Sequence, residues 1–249
     1  MQYIKYTISN TVAHWVRAIF IPKTVIKTIN KLCAKFLFFG DTNDKHLHLI
    51  SWDNTCKPRC FGGLGIQSIM AMQFAFNCCI IERFYNTRSP LIDFLLSRYY
   101  SPWKDKGSQY SKFWKNICKT AIIVRNKFKF NPKSKSKASI IWDHWCLGDS
   151  ILNKFPDFQL INYCKDNDKL EDWIQNDYWC IPEYINGDIR EHISSIPLDN
   201  IQNNFVVWDG KKMAYFREDY LEFFSNLEEV DWHCLIWHKN HSPRYSIYT

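Results

Sequence analysis

Between Trp52 and Ile66 the chain reads WDNTCKPRCFGGLGI, and one proline followed by three glycines leaves this stretch few options other than a sharply turned loop. Pro58 fixes its own φ, whereas Gly62, Gly63 and Gly65 admit positive φ or let another element approach the backbone closely. No Lys-Ser/Thr follows the glycines, so this is not a phosphate loop. The flanking apolar patterns are helical. Residues 9–38 read as two helices divided at Pro22, because proline is tolerated at a helix start and not inside one. In the second, Val25, Ile26, Ile29, Leu32, Cys33, Phe36 and Leu37 fall on one face. Lys23, Lys27, Lys31 and Lys35 then form a basic stripe on the other side. Such a stripe suits a surface that tracks duplex backbone, and equally an ordinary amphipathic surface helix. Leu47 to Trp52 reads as a short strand. Past the glycines, Ser68 is placed to N-cap a helix with an apolar stripe of Ile69, Met72, Phe76, Cys79, Ile80 and Phe84. Pro90 to Tyr100 and Tyr110 to Val124 read as two more helices.

Charge divides the chain. Residues 1–142 hold 23 Lys and Arg against 6 Asp and Glu, a net +17, and residues 143–249 hold 9 against 19, a net −10. Lys106 to Ser139 contains ten basic residues and no acidic one, ending in Lys127, Lys129, Lys133, Lys135 and Lys137. A segment of this kind attracts phosphates with release of counterions, or serves as a solvated linker; the acidic half could also fold back over it. Asn131-Pro132 favours a turn, so the expected organisation is a helical region at 1–126, a basic linker at 127–139 and a small α+β region at 140–249. In the last, Ile140 to Trp142 reads as a strand, Leu170 to Ile174 and Ile189 to Ile193 as short helical pieces, and Phe216 to Phe224 as a helix. Val206 to Lys211, with Asp209-Gly210, reads as a tight hairpin. The fold class expected is mainly α with a smaller α+β C-terminal part.

With 46% hydrophobic and 17% aromatic residues the chain can bury a core, and no apolar run reaches the ~18 residues that span a bilayer. Lys5, His14 and Arg17 interrupt any signal peptide, so the protein is expected inside the cell, nuclear or cytoplasmic, with no membrane partner. Its ten cysteines sit in apolar patterns and read as reduced, mostly buried thiols. Trp142, Trp145, Trp208, Trp232 and Trp237 are expected to pack the C-terminal half. The segment holding Tyr99, Tyr100, Trp103, Lys104, Lys106 and Tyr110 interleaves aromatic and basic residues, which suits either stacking on unpaired bases or a core.

No catalytic or cofactor constellation stands out. His46, His48, Cys56 and Cys60 are too loosely spaced for a structural zinc, and His233, Cys234, His238 and His241 read as surface or packing residues. Asp166-Asn167-Asp168 reads as a polar turn. Neither a Gly-x-Ser-x-Gly elbow nor a His-Glu-x-x-His helix occurs.

Six segments carry a family resemblance. IPKTVIKTINKLCAKFLFFG, WDNTCKPRCFGGLGI and SIMAMQFAFNCCIIERF, taken in order, resemble the region after the polymerase core of LINE-type (non-LTR) retrotransposon reverse transcriptases, especially those of plants. WDHWCLGDSIL is similar to that family's Trp-Asp-x-Trp-x-x-Gly unit, and FVVWDGKKMAYF to its Trp-x-x-x-Gly hairpin. DWHCLIWHKNHSPRYSI resembles its Trp-x-x-Ile-Trp approach to a zinc-binding region. The resemblance covers about Ile19 to Ile247 and implies a helical thumb and connector, with the glycine loop as a structural element. It further implies weak, non-specific contact with RNA or DNA, for which the candidate residues are Lys23, Lys27, Lys31, Lys35, Lys57, Arg59, Lys127, Lys129, Lys133, Lys135 and Lys137. Polymerisation in that family relies on an aromatic-x-Asp-Asp loop that holds divalent ions, and this chain has no Asp-Asp dipeptide. The expectation is therefore a non-catalytic fragment of an RNA-directed DNA polymerase, from a truncated reading frame, without cofactor or metal. A protein-interaction or structural module with a charge-divided surface, and a degenerate relic, are the other readings.

Overall fold

Serine hydroxyls start five of the described helices, as capping chemistry favours where a first turn leaves N–H groups without partners. The computed structural model describes residues 1–42, 50–104, 109–156, 162–199, 204–208 and 215–236. Ser51, Ser68, Ser89, Ser111 and Ser150 accept from the backbone N–H of Asn54, Ala71, Ile92, Trp114 and Asn153. In chain order, a π-helical turn at Ile4–Ile8 runs into α1 (Ser9–Ala18), and α2 (Lys23–Phe39) starts after Pro22 and ends at Gly40, whose φ is 76°. There follow α3 (Trp52–Thr55), a 3-10 turn at Arg59–Phe61, α4 (Ile69–Asn86), α5 (Pro90–Tyr99) and α6 (Lys112–Ile123). Next come β1 (Phe128–Phe130), α7 (Ile151–Lys154), a 3-10 turn at Leu170–Trp173, β2 (Ile174–Gln175) and β3 (Tyr178–Trp179). The described elements end with α8 (Gly187–Ser194), β4 (Val206–Trp208), α9 (Phe216–Glu222) and α10 (His233–Ile236). The fold is mainly α, with short antiparallel strands in the C-terminal part. Among the described residues no helix is long and apolar enough to cross a membrane.

Two compact units divide the chain: Met1–Phe76 with Phe216–Thr249, and Asn77–Tyr215. In the first, Val12, Val16, Ile21, Ile26, Ile69 and Met72 form one apolar cluster, against which Phe76, Phe216 and Tyr220 pack. The Tyr220 hydroxyl accepts from the Ser68 N–H at 2.9 Å, which ties α9 to the start of α4. A second cluster, Ile4, Cys33, Cys56 and Ile66, seats the glycine loop. The acidic C-terminal segment thus shares a unit with the basic N-terminus, and by this division the units carry net charges of +3 and +4.

The second unit is organised around the Trp142-Asp143-His144-Trp145 segment. Asp143 is fully buried. Its carboxylate accepts from the Tyr85 hydroxyl at 2.7 Å, from the Ser139 N–H at 2.7 Å and from the Ser101 hydroxyl. One side chain therefore joins α4, the segment after α5 and its own turn. Burial pushes the Asp143 carboxyl up to about 7, against the downward pull of Ser101, Tyr85 and Ser139. Trp145 lies against Trp173 and Trp179. The Cys146–Asp149 turn closes with Leu147 and Gly148 at φ 54° and 87°, so this motif is architectural.

Several sequence expectations need correction. The stretch 127–139 is not a free linker: β1 pairs antiparallel with β4, Phe128 opposite Trp208 and Phe130 opposite Val206, and Pro132, Ser136, Ala138 and Ser139 are buried. A strand that supplies a ladder cannot act as a tether, and the division between units falls inside α4 instead. A hairpin that the sequence reading did not single out lies at β2–β3, where Asn176 and Asp177 both take left-handed φ as a two-residue turn demands. Val206–Trp208 pairs with β1, and Asp209-Gly210-Lys211, where the expected hairpin would turn, lies outside the described residues. Ile140 to Trp142 is a turn beside the Ser139–Lys169 bridge. Of the strand expected at Leu47 to Trp52, residues 47–49 lie outside the described residues and Trp52 opens α3. The apolar stripe of α4 is wider than expected, because that helix is buried nearly all round.

Candidate nucleic-acid interface

The lysines of α2 recur every fourth residue, so each is rotated by about 40° from the last and the row drifts around the helix. Lys23, Lys27 and Lys31 are exposed, and Lys35 is half-buried with its ammonium donating to the Thr42 carbonyl at 3.1 Å. No Asp or Glu occurs in the first forty residues. Among the described residues, none of the three exposed lysines is engaged in an ion pair. The apolar face is narrower than the sequence pattern implies: Ile26 and Cys33 are buried, while Val25, Leu32 and Phe36 are exposed. The core covers only the side of α2 centred on Ile26 and Cys33, so apolar residues flank the lysine row. Phe36 packs on the ring of Tyr3 at 5.7 Å, and both remain accessible.

Lys57 and Arg59 are half-buried in the glycine loop. This loop is closed by Gly63 N–H to Pro58 O and Gly65 N–H to Lys57 O, both at 3.1 Å, and by Leu64 N–H to Thr55 O at 3.0 Å. Gly62 and Gly65 take positive φ, at 80° and 65°. Gly63 serves a different need: a Cβ there would lie 2.0 Å from the Lys57 carbonyl oxygen. Charges of both signs surround the loop. The Lys5 ammonium donates to Leu64 O at 3.0 Å, and burial, then Arg59, lowers its pKa. Val230 N–H donates to Cys60 O at 2.9 Å, and burial, then Glu229, pushes the Cys60 thiol up. The loop is thus a packed structural element of the first unit.

Lys127, Lys129, Lys133, Lys135 and Lys137 belong to the second unit, whereas α2 belongs to the first. Lys129 projects from β1 and is exposed, as is Lys135, whereas Lys127, Lys133 and Lys137 are half-buried. Lys137 pairs with Asp93 at 3.1 Å. Arg125, just before the run, pairs with Asp149. The aromatic and basic segment at Tyr99 to Tyr110 is core: Tyr99 stacks on Trp114 at 4.4 Å, and Trp103 donates to Ala121 O and packs on Phe128 and Phe130. Lys104 is drawn to Asp166 at 2.5 Å; Lys106 lies outside the described residues. Arg88, which the sequence reading did not single out, lies near the Lys133 to Lys137 turn. Its signal was weak, because only the fold brings residues 88 and 135 to one recess.

Asp166 to Asp168 forms the expected polar turn, with Asp168 accepting from the Lys165 N–H at 2.8 Å. Among the described residues no group of three or more His, Cys, Asp or Glu side chains is placed to hold a metal. His46, His48, Trp237, His238 and His241 lie outside them. Trp145 and Trp208 are buried and Trp142 is half-buried, whereas Trp232 is 44% exposed, although its ring covers Gly62. Six of the ten cysteines are buried and all are free thiols.

No protein-family model matches this chain, and no solved structure does. It is similar to an Arabidopsis thaliana protein named "Putative ribonuclease H protein At1g65750", at 22% identity over 156 residues. The match covers 59% of this chain and 25% of the plant protein, so the chain spans about a quarter of the length of the curated relative it matches.

Proposed function

We propose that the chain is a non-catalytic piece of a retroelement reverse transcriptase whose role is to grip nucleic acid through its backbone phosphates. The observation that carries this reading is the exposed Lys23, Lys27 and Lys31 row on α2, in a forty-residue segment without a carboxylate. Such a row meets phosphates at helical intervals and reads no base edges, so its contribution is independent of sequence and sensitive to salt. The name of the Arabidopsis protein lends support, since a ribonuclease H protein is one that acts on nucleic acid. Polymerisation needs carboxylates that clamp two divalent ions, and the resemblance that places this chain after the polymerase core supplies none.

Binding of the full chain to duplex DNA and to RNA, followed over a salt series, tests the proposal. Changing Lys23, Lys27 and Lys31 together to Ala is expected to lower the logarithmic salt slope on duplex DNA by roughly 2.7, at ~0.9 per phosphate contact. The chain should extend no primer with magnesium or manganese. Wild-type protein that fails to bind either nucleic acid, or a variant with an unchanged slope, would refute the grip, and template-dependent extension would refute the non-catalytic reading.

A further inference from the structure

We propose that the second unit contains a phosphate pocket, formed by Arg88, Lys133, Lys135 and Lys137, that takes a terminal phosphomonoester. These four residues line one recess of about 240 Å³, which among the described residues has no carboxylate in its lining, and the Lys137 ammonium is paired with Asp93 outside it. Both walls are held in place. Arg88 stands two residues beyond Asn86, whose side-chain amide donates to Val206 O at 2.6 Å and accepts from Val206 N–H at 3.0 Å, so the end of α4 is fastened to β4. On the opposite wall the Lys133–Ser136 turn is closed by three hydrogen bonds. Ser136 N–H donates to Lys133 O at 3.2 Å, and the Ser136 hydroxyl accepts from the Lys133 N–H at 3.2 Å while donating to Lys133 O at 2.6 Å.

Lys135 occupies this turn at φ 67°, a left-handed conformation that glycine or asparagine adopts more readily. The turn therefore keeps a lysine where local backbone preference opposes one. Neighbouring carboxylates act from outside the recess: Asp93 meets the Lys137 ammonium at 3.1 Å, and Asp177 accepts from the Ser134 hydroxyl at 2.6 Å. Arg88 is exposed and forms no ion pair among the described residues.

The ligand class follows from charge and shape. A phosphodiester within a strand offers one negative charge and two free oxygens, and it lies along a surface. A terminal phosphomonoester offers nearly two charges and three acceptor oxygens at the end of a chain, so it can enter a recess. An arginine fork takes two of those oxygens, and lysines act as point charges on the third. The source is either the phosphorylated end of a nucleic-acid strand or a free phosphate or nucleotide. The strand-end case rests on the nucleic-acid reading above; the pocket itself does not.

The test compares binding of one short single-stranded oligonucleotide with a 5′-phosphate and with a 5′-hydroxyl to the full chain. The phosphorylated strand is expected to bind about tenfold tighter. Arg88→Ala should erase that difference and leave the unphosphorylated strand's affinity within about twofold, and Lys135→Gly should erase the difference as well. Lys135→Gly removes the ammonium while easing the turn, so loss of folding cannot mimic the result. The α2 triple variant should weaken both strands alike. Competition by inorganic phosphate alone marks the free anion as ligand, whereas competition that requires AMP marks the nucleotide end, and either supports the pocket. Equal affinity for both strands, or a difference that survives both variants, overturns it. If neither strand binds, the nucleic-acid reading falls and calorimetric titration with inorganic phosphate decides the pocket: heat abolished by Arg88→Ala supports it, and absence of heat overturns it.

Discussion

Gly63 offers the sharpest test of how the glycine loop works, because the obstacle to a side chain there is backbone and not strain in φ. In Gly63→Ala the new methyl would lie 2.0 Å from the Lys57 carbonyl oxygen and 2.5 Å from its carbon. Ordinary C···O contact begins near ~3.3 Å, so the gap must open by about 1.3 Å. The Lys57 carbonyl accepts from Gly65 N–H, and Gly63 N–H donates to Pro58 O. Opening the gap breaks one or both bonds, at ~0.5–1.5 kcal/mol each, and displaces Cys56 and Ile66 from their apolar cluster. A total near 2–4 kcal/mol follows, which for a unit of this size lowers Tm by roughly 10 °C. Thermal unfolding of the full chain by circular dichroism measures this, with Gly187→Ala as control, since a Cβ at Gly187 meets nothing within 4 Å. Nucleic-acid binding at low temperature should decline only by the unfolded fraction. A Gly63→Ala Tm within about 2 °C of wild type would refute the reasoning, and lost binding at unchanged Tm would mean that a nucleic-acid backbone approaches the glycine instead.

Two other outcomes are expected. Burial, then Arg125, lowers the His144 pKa to about 4, so this residue contributes stability above its unfolded pKa that is lost as pH falls through 4. Asp143, raised to about 7, does the opposite: its contribution is full below its unfolded pKa and is lost as pH rises through 7. The pair should nearly cancel between pH 4 and pH 6.5, and His144→Leu should expose the Asp143 trend, with a gain relative to wild type on acidification on the order of 3 kcal/mol; parallel stability–pH curves would contradict this. Among the thiols, Cys180 and Cys234 are exposed, whereas burial pushes Cys56 up to about 12 and Cys164 up to about 11. Alkylation followed by peptide mass spectrometry should mark the first two well before the second two, and the reverse order would overturn the burial assignment.

Much of the helical half was legible because its signals are short-range. Pro22 and Gly40 bound α2, and Ser68 caps α4 with a bond that spans three residues. The β2–β3 hairpin was missed even though its signal, Asn176-Asp177 between Ile174-Gln175 and Tyr178-Trp179, was present. Asp-Gly at 209–210 is the stronger turn dipeptide by local preference and lies outside the described residues, while the pairing of Val206–Trp208 with Phe128–Phe130 joins strands far apart in the chain. For the candidate interface, periodicity indicated the lysine row on α2, while the exposure of Val25, Leu32 and Phe36 depended on where the core ended.

The sequence by itself determined where helices begin and stop, which loop is glycine-dependent and how charge runs along the chain. Each of these rests on contacts between residues within about four positions, or on composition alone. Only the tertiary structure decided that the acidic C-terminal segment joins the basic N-terminal unit, that Asp143 is a buried hub for Tyr85, Ser101 and Ser139, and that Arg88 and Lys135 line one recess. Those arrangements arise from burying apolar surface across large separations in the chain, and burial is non-directional. No local pattern records which distant residues it brings together.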